Sequence, residues 1–268
     1  MAEKIELDRV SYTYRSRNER KKKSFTALHD FSLSVKEGEF ISVIGPSGCG
    51  KSTLLDLIAG LIHPTEGEIR IDGETVKGVG TDCAIVQQGY ALFPWRTVRE
   101  NVEIGLEVRH IPCRERRVLS EKYIRLVSMN GYEDKYPSQL SGGMKQRVAI
   151  ARALVYNPKV LLMDEPFAAL DPQTREVMQN EIMQISQTEH PTIFFVTHDI
   201  QEALSISDRV VVMTDSPGTI REIVDVPFPK GHHVEDVRNL PEFAGMIVHL
   251  RNQYKINYDN VANIDAAL

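Results

Sequence analysis

The residues best suited to chemistry stand together in "GPSGCGKST", Gly45 to Thr53. Gly45, Gly48 and Gly50 let the backbone curl so that successive N–H groups point inward and form an anion-binding nest. Pro46, Ser47 and Cys49 between them leave the loop almost bare of side chains. Lys51 can reach the β- and γ-phosphates of a nucleotide, the Ser52 hydroxyl is placed to coordinate Mg²⁺, and Thr53 is placed for the α-phosphate. The pattern G-x-x-x-x-G-K-[ST] is met in full. An apolar strand-like run, "ISVI", precedes it and a helical pattern, "LLDLIAGL", follows. That order separates a phosphate loop from a chance Gly-rich turn, and the helix adds the positive end of its dipole.

A second piece is "VLLMDEP", Val160 to Pro166, four apolar residues ending in two carboxylates. Asp164 can hold the Mg²⁺ shell through water. Glu165, one residue on, points to the other side of the strand and is suited to polarise an attacking water. The pair favours hydrolysis over storage of a bound nucleotide. A third piece is "LSGGMKQRVAIARAL", Leu140 to Leu154, where Ser141 is a good N-cap and Gly142 and Gly143 expose N–H groups at another helix start. By itself Ser-Gly-Gly also serves as a plain linker or cap.

The elements that must position these pieces follow from periodicity. Residues 1–80 are strand-rich: "KIELDRVSYTY" and "FTALHDFSLSV" alternate, and "GEIRIDGETV" carries an Asp-Gly turn signal. Between the first two lies "RSRNERKKK", Arg15 to Lys23, which reads as a solvated hairpin loop, with contact to anionic lipid headgroups as the alternative. Residues 89–140 read as helices broken by loops, punctuated by Pro94, Pro112 and Pro137. From Ser141 onward helices alternate with the strands "KVLLMDEP", "TIFFVTHD" and "RVVVM", which argues a parallel sheet covered on both faces. Phe243, Met246, Ile247, Leu250 and Tyr254 fall at helical spacing, so a further amphipathic helix is expected to pack back on the body, and the last dozen residues to fray.

Composition narrows the class. The 268 residues are 42% hydrophobic and 26% charged, with 32 basic against 37 acidic residues and a net charge of −5, which disfavours general nucleic-acid binding. The opening "MAEKIELDRV" is unlike a secretory leader, and no apolar run approaches the ~18 residues of a membrane span. Cys49, Cys83 and Cys113 lie far apart with no metal-ligand spacing, which reads as a reduced, cytoplasmic protein. Cys49 sits inside the phosphate loop and is expected near solvent in the absence of nucleotide, so that its modification would block binding; a small residue tolerated in a turn is the plainer reading.

The three pieces in this order resemble the nucleotide-binding subunits of ATP-binding cassette (ABC) transporters, over about Ile5 to Phe228. The resemblance implies a P-loop NTPase fold of ABC type: an α/β core with a mostly parallel sheet, an N-terminal antiparallel β lobe and an inserted helical lobe. It implies an ATPase domain over 1–229, with the helical subdomain at about 89–157, and a short C-terminal helical extension over 230–268 with no separate regulatory domain. ATP and Mg²⁺ are the implied ligands, with Gln88 joining Ser52 and Asp164 around the metal. The implied partners are a second copy of the chain, whose Ser141 and glycines close over the γ-phosphate, transmembrane permease subunits and a solute-binding protein. Nucleic acid is not among them. The implied location is peripheral, on the cytoplasmic face of the membrane.

Further positions match residue by residue. Tyr14 sits where the family stacks an aromatic on adenine, with Tyr12 as competitor. Asp171 in "AALD" resembles the loop that crosses the dimer interface, and His198 in "VTHD" the switch that hydrogen-bonds the γ-phosphate and holds the attacking water. Of Gln87 and Gln88 in "IVQQGYALFPWRTV", registering on Tyr-Ala-Leu-Phe-Pro places Gln88 as the γ-phosphate sensor. Phe93, Pro94 and Trp95 fall where relatives meet the membrane partner. The pattern departs at Met144, where many relatives carry glutamine, which puts a ribose contact in doubt. "GGMKQR" and the short tail are similar to the nitrate, sulfonate, taurine and bicarbonate import group. The other readings are a soluble cassette ATPase acting on nucleic acid or ribosomes, an exporter subunit, or a non-hydrolysing regulator.

Overall fold

The alternating runs at the start form a hairpin, β1 (Glu3–Arg15) and β2 (Ser24–Lys36), in the computed structural model, which describes residues 3–15, 24–228 and 233–265. Most of the basic stretch after Arg15 lies outside the described residues. β1 also pairs antiparallel with β4 (Glu66–Ile71), and β4 with the short β5 (Glu74–Thr75). The turn between β4 and β5 is Asp72–Gly73, both with positive φ (53° and 74°), as a tight Asp-Gly hairpin requires. Ile5 and Leu7 of β1 face inward with Phe31, Leu33 and Val35 of β2, the period-2 burial that the alternation predicts, and Val10 returns inward after a register shift between Leu7 and Val10.

The chain forms two compact units, residues 1–80 with 192–268, and residues 81–191. The first holds, beside the antiparallel lobe, β3 (Phe40–Ile44), β8 (Thr192–Val196) and β9 (Arg209–Met213). β3 pairs parallel with both β8 and β9, and all residues of β3 and β8 are buried, as continuous apolar runs in a parallel sheet require. β10 (Ile220–Asp225) adds antiparallel to β9. The helices of this unit are α1 (Lys51–Ile58), α6 (Ile200–Ile206), α7 (Val234–Arg238) and α8 (Pro241–Asp265). Of the predicted C-terminal helix, Phe243 and Leu250 join Ala203, Leu204, Val210 and Val212 in one apolar cluster, with Met246 and Ile247 against it, while the Tyr254 side chain lies outside the described residues. α8 continues to Asp265, with no Gly or Pro in residues 251–265, and the final three residues of the stretch expected to fray lie outside the described residues.

The second unit pairs β6 (Cys83–Val86) in parallel with β7 (Val160–Asp164). Its helices are α2 (Val98–Val108), α3 (Cys113–Leu126), α4 (Gly142–Leu154) and α5 (Pro172–Glu189). Thr97 and Glu100 make a capping box at the start of α2, and Ser141 caps α4. β6 and β10 are not among the predicted strands: "CAIV" is too short to show alternation, and "IREIVD" is an edge segment with mixed burial.

Candidate functional site

In the first unit the phosphate loop leaves the C-terminal end of β3. The register Val43↔Val196 and the bond from Thr197 N to the Val43 carbonyl (3.2 Å) bring the end of β8 beside it, so the loop and the "VTHD" turn emerge at the same edge of the sheet. Close approach explains the glycines. A Cβ on Gly45 would lie 2.7 Å from Cys49 Sγ, and one on Gly50 2.8 Å from the Ala27 carbonyl oxygen. Gly50 also has φ 99°, a conformation only glycine adopts freely, and stands at the N-cap of α1 with no side-chain cap. A helix start with no side-chain cap suits an anion.

Lys51 is buried and folded back on the loop, its Nζ donating to the carbonyls of Gly45 (2.7 Å) and Pro46 (2.9 Å). Ser52 is exposed and Thr53 buried, and the Thr53 hydroxyl lies 3.1 Å from the Tyr14 hydroxyl. Tyr14 is 43% exposed, whereas Tyr12 meets it edge-on at 4.8 Å as a brace. His198 is exposed, and Asp199 caps α6 by accepting from Gln201 N (2.8 Å) and Glu202 N (3.2 Å). The expectation that Cys49 lies near solvent is corrected: it is 1% exposed, packed on Gly45, and burial raises its thiol pKa despite the nearby Lys51. A turn this tight has no room for an outward thiol.

In the second unit the register Val86↔Met163 puts the end of β6, and so Gln87 and Gln88, beside the end of β7 with Asp164 and Glu165. Glu165 has φ 43°, a left-handed turn that ends the strand and redirects the chain after the carboxylates. Gln87 and Gln88 are both exposed; Gln87 lines an apolar groove of about 360 Å³ with Ile85, Phe93, Ile104 and Val108. Two clamps with no signal in the sequence shape the stretch after β6. Arg152 donates to the carbonyls of Tyr90 (2.8 Å) and Ala91 (2.5 Å), whose φ values are positive. Asn101, fully buried, binds the backbone of Phe93, Arg96 and Thr97. A lone Asn or Arg inside a helical pattern carries no sequence signal for such a role. Trp95 beyond them is 71% exposed, its ring 5.6 Å from that of Phe93.

The same unit brings the starts of α4 and α5 together. Ser141 Oγ accepts from Met144 N (3.3 Å), and Asp171 Oδ1 accepts from Thr174 N (3.0 Å). The Thr174 hydroxyl, and then its N–H, hold the Asp171 carboxyl below the ordinary aspartate range by hydrogen bonding. A Cβ on Gly143 would lie 2.4 Å from Thr174 Cγ2, and one on Gly142 3.1 Å from the Tyr90 hydroxyl, so both signature glycines are fixed by packing. The Met144 side chain is half-buried.

The family model for ABC transporters matches residues 28–168, from β2 through the phosphate loop to the turn after Glu165. The chain belongs to the ABC transporter family. This ABC ATPase is 57% identical over 200 residues, 75% of each chain, to an uncharacterized ABC transporter ATP-binding protein of Methanocaldococcus jannaschii. It is 45% identical to the nitrate import ATP-binding protein NrtD of Synechococcus elongatus, over 82% of this chain and 81% of that one. It is 47% identical to the bicarbonate transport ATP-binding protein CmpC of the same species, over 86% of this chain but 36% of that longer protein. Among solved structures it superposes on the dimeric ATP-binding cassette MJ0796 bound to ADP and Pi with a TM-score of 0.73 and 34% identity, covering 84% of this chain and all of that one. The ABC-type fold read from the motifs is therefore the fold observed. Among the described residues no helix is long and apolar enough to cross a membrane.

Proposed function

We propose that this ABC ATPase is the energy-coupling subunit of an importer for a small anion such as nitrate or bicarbonate, with sulfonate and taurine in the same class. It works as a pair of copies, bound to permease subunits at the cytoplasmic face of the membrane and served by a solute-binding protein. The observation that carries the reading is the 45% identity to a nitrate import ATP-binding protein along four-fifths of both chains. The loop chemistry supports it.

Lys51, the loop N–H groups and the α1 dipole would neutralise the phosphates, with Thr53 at the α-phosphate and Tyr14 against adenine. Lys51 must then exchange its two loop carbonyls for phosphate oxygens, a swap of neutral acceptors for charged ones that favours the bound state. The Ser52 hydroxyl, the Gln88 amide oxygen and the Asp164 carboxylate are hard oxygen donors of the kind Mg²⁺ takes when substrate phosphates complete its shell. When bound, the ion would offset charge on the β- and γ-phosphates. Glu165 and His198 would orient the attacking water, Glu165 taking its proton. Ser141, Gly142 and Gly143 of one copy would close on the γ-phosphate held by the other, with Asp171 at the junction.

The apolar groove beside Gln87, with Phe93 and the exposed Trp95 near its mouth, is the seat assigned to the permease. The test is co-purification from detergent-solubilised membranes, followed by uptake of labelled nitrate or bicarbonate into vesicles holding the complex. Recovery of a multi-span permease with ATP-dependent anion uptake is expected. Recovery of ribosomes or DNA instead, or uptake indifferent to ATP, would overturn it.

A further inference from the structure

Tyr14 and Phe25 are register partners across the β1–β2 ladder, and both rings are surface-exposed, at 43% and 52%. Their centroids are 6.5 Å apart and their planes only 26° from parallel. Tyr14 is held in place from two sides, by the Thr53 hydroxyl at 3.1 Å and by Tyr12 edge-on at 4.8 Å. Single exposed apolar side chains are common on protein surfaces. An exposed phenylalanine aligned with a tyrosine that is tied to the first turn of the phosphate-loop helix is a different case. Neither ring is spent on the core, since Leu28 and Phe31 already fill it from β2. Phe25 has no polar atom, so the contact it can offer a ligand is its apolar ring.

We infer that Phe25 and Tyr14 together form a two-ring face for the purine base of the nucleotide, making Phe25 a second base-binding residue. The inference rests on the proposed reading of the phosphate loop as an ATP site. A flat purine has a π-face large enough to meet two neighbouring rings, and aromatic stacking supplies affinity without reading the base's hydrogen-bonding edge. Truncating one ring should then cost roughly 5- to 150-fold in affinity, the range for a base–aromatic contact.

The experiment is calorimetric titration of Mg·ATP, and separately of Mg·tripolyphosphate, into the wild-type chain and into Phe25→Ala, Phe25→Leu, Phe25→Tyr and Tyr14→Ala. Tripolyphosphate carries the charge and lacks the base. The expected result is that Phe25→Ala and Phe25→Leu weaken Mg·ATP, Phe25→Tyr keeps it, and tripolyphosphate binds all five chains alike. The inference is overturned if Phe25→Ala binds Mg·ATP within twofold of wild type while Tyr14→Ala does not. It is also overturned if Phe25→Leu binds as wild type, or if Phe25→Ala loses tripolyphosphate in the same proportion as ATP. A wild-type chain that binds neither ligand would instead sink the proposed ATP site itself.

Discussion

Helices α1 and α4 both start on glycine-rich turns, yet their first turns are satisfied in different ways. At α1 the N-cap is Gly50 in a left-handed conformation, no side chain caps it, and Lys51 curls back on the loop carbonyls. At α4 the Ser141 hydroxyl caps the helix itself through Met144 N. The first start carries no side-chain cap of its own. The second has one and presents its hydroxyl and Gly142 at the surface. On the proposed reading the residues around α1 serve binding, while Glu165, His198 and the start of α4 serve turnover, and this division can be broken one residue at a time.

The largest effect is expected from Glu165→Gln. Removing a general base should lower turnover by roughly 10²- to 10⁴-fold while Mg·ATP still binds, with a closed dimer accumulating on size exclusion. Near-normal phosphate release from that variant would break the assignment. Lys51→Ala should act earlier, on binding. Loss of charge-assisted bonds to phosphate predicts roughly 10- to 100-fold weaker Mg·ATP affinity by calorimetry. If its affinity were intact and only turnover fell, the two starts would not differ as argued.

Ser141→Ala should sharpen the contrast further. Affinity of the single chain for Mg·ATP should stay at the wild-type level and turnover should fall, with stability lower by about 1 kcal/mol from the lost cap. Thermal melts and titrations on the same sample separate the two effects. The smallest change is expected from Asp171→Asn. The folded-state carboxyl pKa is depressed, so its contribution is present above the unfolded aspartate range and lost as pH falls through the folded value. The variant's stability should therefore fall less steeply than wild type on acidification below that range; identical acid melts would remove the cap's electrostatic role.

Cysteine labelling adds a check on the loop's packing. Cys113 is exposed, Cys49 is buried, and burial pushes the Cys83 thiol up to about 12. Maleimide at neutral pH should label Cys113 first and leave ATP binding intact, since thiolate at the other two is scarce. Rapid labelling of Cys49 without loss of fold would contradict the packing of its sulfur on Gly45.

What the sequence disclosed is uneven for physical reasons. The phosphate loop, the Asp164–Glu165 pair and the capped start of α4 were legible because each depends on a few adjacent residue types in a fixed order. The hairpin of β1 and β2 and the buried strands β3, β7, β8 and β9 were legible from periodicity. β6 was not, because four residues cannot show a period, nor β10, which lies at an edge with mixed burial. The choice between Gln87 and Gln88 rested on likeness to relatives, whereas the groove gives Gln87 separate surroundings. The clamps by Asn101 and Arg152 join residues 4 to 62 positions apart, and the burial of Cys49 depends on contacts no local pattern encodes.

The fit of Gly143 against Thr174 leaves no clearance for even a methyl group. Any side chain at position 143 would have to push the Thr174 methyl aside, so the starts of α4 and α5 stand this close only with glycine there.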